Sequence, residues 1–202
     1  MKRGRWLLPT LALLGAAWAA SNIRLVQAQG DEMYPSIRDG DWLLLGPGAP
    51  EQGDVFALQD PAEPDRPVLR RIQIGPGRRI WTRGSQLRRD GDGVKHREMG
   101  RVDGQIVLSE SNLWLIARRS EVVKGPAVEV ELGEEDFFVM ADNRDLGVDS
   151  RWWGPVEGAA LKREVWLRVG PGDLWRGAWS VGARDGPWAP PEVLGGASGS
   201  GG

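Results

Sequence analysis

Short apolar runs separated by turn residues form the pattern of hydrophobic and polar positions from Ile23 onward. Glycine and proline lie in nearly all of the gaps, as in PGAPEQGD and GPGRR. Such runs predict strands joined by turns, and VEVEL from Val128 alternates with period two, as a strand with one buried face does. We therefore predict a mainly β fold. The predicted strands are 41–45, 55–58, 68–74, 105–108, 113–117, 128–132, 137–140 and 165–169.

A different pattern precedes these runs, because the stretch WLLPTLALLGAAWAA at residues 6–20 is apolar almost throughout. It can extend to Ile23, and Lys2, Arg3 and Arg5 lie before it. Its length is between that of a signal-peptide core and that of a short membrane-spanning helix. The positive flank predicts a cytoplasmic N-terminus, so the rest of the chain is expected outside the cytoplasm, with the lipid membrane contacted through residues 6–23.

These patterns divide the chain into three parts. Residues 1–23 are expected to be a membrane anchor or an uncleaved signal. Residues 24–186 are long enough for one ordinary domain core and are expected to form one β domain. Residues 187–202, which contain APPEVLGGASGSGG, lack the apolar content to order themselves and are expected to be a disordered Gly/Ser tail.

Composition narrows the chemistry further. A net charge of −2 gives no general reason to expect nucleic acid as a partner. The absence of cysteine excludes thiol catalysis and thiolate metal sites, and a single histidine argues against a histidine metal cluster. No metal or organic cofactor is implied. The arginine-rich block 66–101 is interpreted as solvated, and the stretch around His96 as a surface turn.

Four stretches of the sequence occur in the same order as the motifs of a known protein family. They are GDEMYPSIRDGD (30–41), GDVFALQDP (53–61), LRRIQIGPG (69–77) and FVMADNRDLGVDSRWWGPV (138–156). In that order, behind an apolar N-terminal segment, they resemble bacterial type I signal peptidases (leader peptidases). The corresponding family patterns are Gly-x-Ser-Met-x-Pro-Thr, Gly-Asp-apolar with a final proline, Lys-Arg-Val-x-Gly-x-Pro-Gly, and Gly-Asp-Asn-Arg-x-x-Ser-x-Asp-Ser-Arg.

The resemblance implies a mostly antiparallel β fold behind one N-terminal membrane helix. It also implies a peptidase of the cytoplasmic (inner) membrane, with its main domain on the outer, periplasmic side. Members of the family are serine endopeptidases that process the signal peptides of exported proteins with a Ser/Lys dyad. The expected partner is an extended signal-peptide-like segment or an exported protein, with no nucleic acid.

The catalytic positions implied by the resemblance hold different residues in this chain. Glu32 stands at the nucleophile position, Arg70 at the general-base position, and Gly147 at the position of the serine that orients the base. An arginine keeps its proton and cannot act as the base. We expect Glu32 and Arg70 to form an ion pair in the old dyad site, with Gly147 leaving room for the guanidinium.

Two replacement routes for catalysis are open from the sequence. One is activation of a water molecule by Glu32, although a neighbouring arginine stabilises the ionised carboxylate and so weakens it as a base. The other is a hydroxyl supplied by Ser36, although Ser36 lies four residues further on in the turn. Neither route restores the family's own dyad.

The remaining motif residues divide into two expected groups. The resemblance implies that Met33, Tyr34 and Pro35 help to form the peptide-binding surface, where a substrate binds as an extended strand. The other group is expected to hold the site architecture together through local hydrogen bonds and salt bridges. It consists of Asp142, Asn143, Arg144, Asp149, Ser150 and Arg151.

Three functions are consistent with this sequence. The first is a catalytically degenerate signal peptidase homologue, a pseudoenzyme that binds extended peptide segments or a partner protein. The second is an active membrane signal peptidase that uses an unrecognised nucleophile or a Glu32-activated water. The third is a structural or assembly domain in which the peptide groove has closed. The presence or absence of an open apolar groove beside Glu32 and Arg70 distinguishes the third from the other two.

Overall fold

The structure is a computed structural model, and it describes residues 15, 17, 20–84, 86–111, 113–119 and 125–170. Its strands pair in antiparallel fashion, so the predicted mainly β fold is confirmed. The apolar segment 6–20 and the tail 187–202 lie mostly or wholly outside the described residues. No helix within the described residues has the length and apolar character needed to cross a membrane.

After helical residues that end at Asn22, fourteen strands and two short helical segments follow in the described part of the chain. The strands are β1 (Arg24–Gln27), β2 (Trp42–Gly46), β3 (Val55–Gln59), β4 (Pro67–Ile74), β5 (Arg79–Arg83), β6 (Gln86–Arg89), β7 (Asp92–Gly93), β8 (His96–Val102), β9 (Gln105–Glu110), β10 (Trp114–Arg118), β11 (Val128–Glu131), β12 (Asp136–Met140), β13 (Val156–Glu157) and β14 (Leu161–Val169). A short α-helix, α1, spans Ser150–Trp153, and a 3₁₀ turn spans Gly158–Ala160.

Three sheets hold these strands. The largest has seven strands in the order β1-β2-β14-β3-β4-β12-β13. A three-stranded sheet has the order β10-β9-β8, and a four-stranded sheet has the order β11-β5-β6-β7. The candidate site lies on the large sheet, because Glu32 follows β1, Arg70 belongs to β4, and Gly147 lies in the loop between β12 and the short helix.

Each of the eight predicted strands corresponds to an observed one, whereas β1, β5 to β8 and β13 were not predicted. β1 and β13 have only four and two residues. β5 to β8 are rich in arginine and other polar residues, so the sequence shows no apolar run there. The interpretation of His96 as part of a surface turn is wrong. His96 begins β8 and pairs with Glu110 in β9, because the hairpin aligns the two strands.

The core is a set of apolar clusters on the faces of the sheets. One cluster beside the site contains Met33, Leu43 and Leu45, together with Ala141 from the loop after β12. Another lies on the far side of the large sheet, around Phe56 and its neighbours. The loop after β1 is therefore anchored to the main core, and its conformation is set by packing.

The arginine-rich block is only partly solvated, so that expectation is wrong for Arg70, Arg71 and Arg89, which are buried. Arg70 and Arg71 are successive residues of β4, and successive side chains of a strand point to opposite faces. Both faces of β4 are covered at this point, which buries two guanidinium groups. Buried charges need partners, and the partners of Arg70 and Arg71 define the candidate site.

Candidate active site

The loop that carries Glu32 is fixed to the fold at several points. The carbonyl of Glu32 accepts a hydrogen bond from the backbone N–H of Asn143 at 2.9 Å. Asp41, at the end of the loop, is buried and accepts a hydrogen bond from Arg168 of β14 at 2.9 Å. Met33 is buried in the core between these points. The Glu32 side chain is therefore held in one place by neighbours on both sides.

The carboxylate of Glu32 forms ion pairs with two arginines. Its Oε2 lies 2.7 Å from Nη2 of Arg70, and its Oε1 lies 2.7 Å from Nη2 of Arg66. The three side chains differ in exposure, at 1% for Arg70, 24% for Glu32 and 52% for Arg66. The structure thus brings Glu32 and Arg70 into contact as an ion pair. It also adds Arg66, a more exposed positive charge that the sequence analysis did not include in the site.

Arg70 uses its other donors on backbone carbonyls. Its Nε and Nη2 donate to the carbonyl oxygen of Val148 at 3.0 and 2.7 Å, and its Nη1 donates to that of Leu69 at 2.6 Å. The ring of Trp153 lies 5.5 Å from the guanidinium carbon. Arg70 is therefore a fixed, fully bonded cation, and Glu32 supplies its negative charge.

Gly147 does not leave room for this guanidinium, so that part of the expectation is wrong. A Cβ atom built on Gly147 would lie 2.1 Å from Cβ of Ala141, and its next nearest atoms belong to Ala141 and Asn143. The methyl group of Ala141 fills the space that a side chain at position 147 would take. The family pattern has glycine and serine at these two positions, whereas this chain has Ala141 and Gly147.

The second buried arginine of β4 pairs with a motif carboxylate. Arg71 donates from Nε and Nη2 to the two carboxylate oxygens of Asp142 at 2.8 and 2.6 Å, and both side chains are fully buried. Its Nη2 also donates to the hydroxyl of Ser36 at 3.0 Å. Ser36 is thus a half-buried hydrogen-bond partner of Arg71.

Asp149, Ser150 and Arg151 link the start of the short helix to β12. Asp149 caps the helix, and its carboxylate accepts from the backbone N–H of Ala141 at 3.0 Å and from Nε of Arg151 at 2.8 Å. The hydroxyl of Ser150 accepts from the backbone N–H of Val139 at 3.0 Å. Arg151 donates to the carbonyls of two loop residues. These contacts fix the loop that contains Gly147 and Val148.

Arg144 extends the network to the smaller sheets. Its Nη2 lies 2.7 Å from Glu110 in β9, and Arg89 and His96 also contact this carboxylate. Burial alone raises the pKa of Glu110, but the charges of Arg144, Arg89 and His96 outweigh it, so the net pKa is well below its ordinary value. Burial lowers the pKa of Arg144, and Glu110 opposes that shift.

An open groove lies beside the Glu32–Arg70 pair and has a volume of about 590 Å³. Residues 26–30 line it on the β1 side, and residues 66–70 line it on the β4 side. Leu43, Leu45 and Ala57, from the strands between, also line it. Apart from Glu32, Arg66 and Arg70, its lining residues are uncharged. The groove is therefore mostly apolar, with Gln27 and Gln29 as uncharged polar lining residues and three charged residues in contact with one another.

Strand edges without partners border this groove. Within the described residues, β1 pairs with β2 alone, so one of its edges is free. Residues 67–70 of β4 pair with β3 alone, because β12 pairs with β4 only from Arg71 onward. Free edges present backbone N–H and C=O groups to any chain that lies between them.

The three residues expected to form the peptide surface separate in the structure. All three are buried, and only Met33 lines the groove. Tyr34 packs with Val107 and Leu115 of the three-stranded sheet, away from the groove. Tyr34 and Pro35 are therefore buried residues of the loop after β1 and do not line the groove.

A family model described as "Signal peptidase, peptidase S26" matches residues 2–169 of the chain. The match covers the loop after β1, β4 and the network after β12, which together build the site. The chain belongs to the signal peptidase family, peptidase S26. The resemblance inferred from the four sequence stretches is confirmed.

Individual family members are distant from this chain. The signal peptidases I of Pseudomonas aeruginosa and Pseudomonas fluorescens are each 24% identical to it over 153 residues, which is 63% of this chain and 54% of each relative. The aligned part thus spans about half the length of these relatives. A signal peptidase I structure from Enterococcus faecalis V583 is 22% identical, covers 58% of this chain and 97% of its own, and superposes with a TM-score of 0.40.

At the positions that the resemblance implies for the dyad, this chain has Glu32 and Arg70, which supply no hydroxyl and no neutral amine. Arginine keeps its proton at physiological pH, so it cannot remove one from a nucleophile. Each carboxylate oxygen of Glu32 lies 2.7 Å from a guanidinium nitrogen, of Arg70 or of Arg66. The site is built as an ion pair.

Sequence reasoning missed three contributors to the site. Arg66 was grouped with the solvated arginines, Arg71 was not separated from its neighbour, and Ala141 was not connected with Gly147. The alternation of β4 would have indicated that Arg70 and Arg71 face opposite sides. A comparison of ADNRDLG with the family pattern would have shown the second change at Ala141. No sequence signal points to Arg66, because it lies in a turn that precedes β4.

Proposed function

We propose that this chain is a signal peptidase relative that binds an extended peptide segment and does not cleave it by Ser/Lys chemistry. The observation that carries the proposal is the open apolar groove beside the Glu32–Arg70 pair, with a free strand edge on each side. A bound segment would add a strand between β1 and the start of β4. The open groove argues against the third possibility, a structural domain whose groove has closed.

Main-chain recognition accounts for binding without a catalytic serine. A strand added to a sheet edge is held by backbone hydrogen bonds, and side-chain pockets add selectivity. Leu43, Leu45 and Met33 give the groove apolar contacts for alternate side chains of the segment. The expected ligand is therefore an extended, mostly apolar segment, as in a signal-peptide-like sequence or part of an exported protein.

The contacts of Glu32 support the absence of hydrolysis. A general base needs a free lone pair within reach of the proton that it removes. Both oxygens of Glu32 are engaged at 2.7 Å by Arg70 and Arg66. A water activated by Glu32 would compete with these two guanidinium groups for the carboxylate, so we do not favour the active-enzyme alternative.

The same proposal includes a location. The apolar stretch 6–20, preceded by Lys2, Arg3 and Arg5, supports tethering to the cytoplasmic membrane with the β domain on the outer side. Such an arrangement brings the groove close to exported chains as they emerge. Protease treatment of intact spheroplasts tests this: we expect degradation of the β domain, whereas protection would contradict the orientation.

Binding can be tested with an N-terminally labelled, apolar ten-residue peptide by fluorescence anisotropy. Ala57 lines the groove, so Ala57→Trp fills part of it and is expected to weaken binding at least about tenfold, or 1.4 kcal/mol. Ala127 is exposed just before β11, and Ala127→Trp is the matched control. Absence of binding by the natural chain, or equal effects of the two variants, would contradict the proposal.

Cleavage of a preprotein in detergent tests the catalytic half of the proposal. We expect no cleavage by the natural chain or by Glu32→Ser alone. Activity should appear only when Glu32→Ser and Arg70→Lys are joined by Gly147→Ser and Ala141→Gly, since the last two must change together. Cleavage by the natural chain that is lost in Glu32→Gln would instead make Glu32 a catalytic carboxylate.

A further inference from the structure

The lining of the groove has an excess of one positive charge. Among the described lining residues, the charged ones are Glu32, Arg66 and Arg70, with two positive charges against one negative. Arg70 is buried and depends on Glu32 for neutralisation. Arg66 is half exposed and is the surplus cation. The unneutralised positive charge is therefore on Arg66, which a ligand can reach.

Two residues that line the groove also have unused hydrogen-bond donors. Arg66 uses Nη2 on Glu32, and no described residue accepts a hydrogen bond from its Nε or Nη1. The backbone N–H of Glu32 likewise has no acceptor within the described residues. Apart from these two residues and Arg70, the lining of the groove is uncharged. Together these donors and the net positive charge form a receptor for a single anionic group attached to an apolar body.

We propose that the ligand of this groove is a peptide with a free C-terminal carboxylate, which binds at Arg66 while its apolar residues fill the groove. This inference rests on the proposed function and specifies the ligand. An uncleaved protein segment would continue past Arg66 with an uncharged amide, whereas a released fragment ends in a carboxylate. The reaction class that supplies such a ligand is peptide-bond hydrolysis by another enzyme, so this chain would act after cleavage.

A peptide fits the groove better than a lipid anion. A fatty acid offers the same apolar body and carboxylate, but it has no backbone groups for the free edges of β1 and residues 67–70. A peptide satisfies those edges and the apolar surface at once. The guanidinium of Arg66 then binds the terminal carboxylate by charge-assisted hydrogen bonds.

The test compares one labelled apolar decapeptide in two forms, with a free C-terminal carboxylate and with a C-terminal amide, on the full chain. We expect the free acid to bind about tenfold more tightly. Arg66→Gln should reduce the acid-to-amide ratio to about one. Arg97→Gln, at an exposed arginine of β8, is the matched control and should keep the ratio. The ratio should also fall in 1 M salt, because screening weakens exposed charge pairs.

Each outcome separates the inference from the proposed function. Equal binding of acid and amide, or a ratio that survives Arg66→Gln, would overturn the carboxylate inference and leave peptide binding intact. Failure of both forms to bind would overturn the proposed function and this inference together. Dodecanoate serves as the lipid probe, and its binding in place of both peptides would overturn the assignment to a peptide.

Discussion

Arg70 is a charged residue that the fold removes almost completely from water. Its side chain is 1% exposed and receives its only negative charge, among the described contacts, from Glu32. A buried cation that loses its counter-charge is costly, because the desolvation penalty is no longer offset. This residue therefore depends on Glu32 for stability, independently of any function of the site.

Loss of the charge on Glu32 is therefore expected to destabilise the protein. Glu32→Gln keeps the shape but leaves Arg70 without its carboxylate, and we expect a loss of about 1–3 kcal/mol in the free energy of unfolding, because Glu32 is partly exposed. Urea unfolding measures this value. Glu131→Gln, which removes an exposed pair with Arg79, is the control and should change nothing measurable. Equal stability of the two variants would contradict the dependence of Arg70 on Glu32.

Ala141 and Gly147 are expected to act as a pair. Gly147→Ser alone forces a side chain into the Ala141 methyl group, 2.1 Å from the new Cβ, and should cost about 1–3 kcal/mol. Ala141→Gly alone should cost about 1 kcal/mol, through a lost methyl group and a more flexible backbone.

A double-mutant cycle by urea unfolding measures this coupling. Ala141→Gly with Gly147→Ser should be more stable than Gly147→Ser alone, because the serine then has room. Additive effects of the two changes would show that the contact does not limit position 147.

At the scale of elements, Glu110 connects parts of the chain that no single sheet joins. Glu110 ends β9, and its carboxylate meets Arg89 of β6, His96 of β8 and Arg144 of the loop after β12. The cluster thus ties both small sheets to the loop that shapes the candidate site. The structure of that loop depends on this carboxylate being ionised.

Stability should consequently decrease in acid through Glu110. Its pKa in the folded state is below the ordinary value of 4.5, so its contribution is complete above about pH 4.5 and is lost as the pH falls below that value. Glu110→Gln should lower stability at pH 7 and flatten the pH dependence below pH 4.5 in urea-unfolding series. Glu98→Gln, at an exposed pair with Arg101, should keep the natural profile. An unchanged profile in Glu110→Gln would assign acid sensitivity to other carboxylates.

The elements also differ in how far the sequence predicts them. Apolar runs bounded by glycine and proline located β2, β3, β4 and β9 correctly, because burial of one or both faces imposes a hydrophobic pattern. Strands such as β6, with the sequence QLRR, were not predicted, because their stability comes from neighbouring strands and from paired arginines. Tertiary contacts decide such strands, and a local pattern cannot reveal them.

At the scale of the whole molecule, the sequence indicated the contact between Glu32 and Arg70 but not its surroundings. The family patterns place both residues at positions that meet, so opposite charges there suggested a pair. Arg66 reaches Glu32 from the turn before β4, and only the path of that turn reveals it. The groove is likewise a property of the assembled sheet, since its lining residues come from four strands and two loops.

The body of the fold should be stable without the N-terminal apolar stretch. The buried apolar residues of the described chain run from Ala28 to Val165, and Arg163 bonds the carbonyl of Asn22. A chain that begins at Ser21 should therefore unfold cooperatively, with a midpoint within about 4 °C of the full chain in detergent. Circular dichroism measures this. Loss of cooperative unfolding would mean that residues 1–20 contribute to the core.

The contact between Ala141 and Gly147 also constrains the order of past mutations. If the ancestor of this chain carried the family's glycine and serine at these positions, a change to alanine at 141 while serine still occupied 147 would have met the same close contact and its cost. Loss of the serine first, followed by alanine at 141, avoids that cost. In the reverse direction, a return of glycine at 141 before serine at 147 avoids it as well. The favoured order of the two mutations is therefore opposite for loss and for recovery of the family's residues.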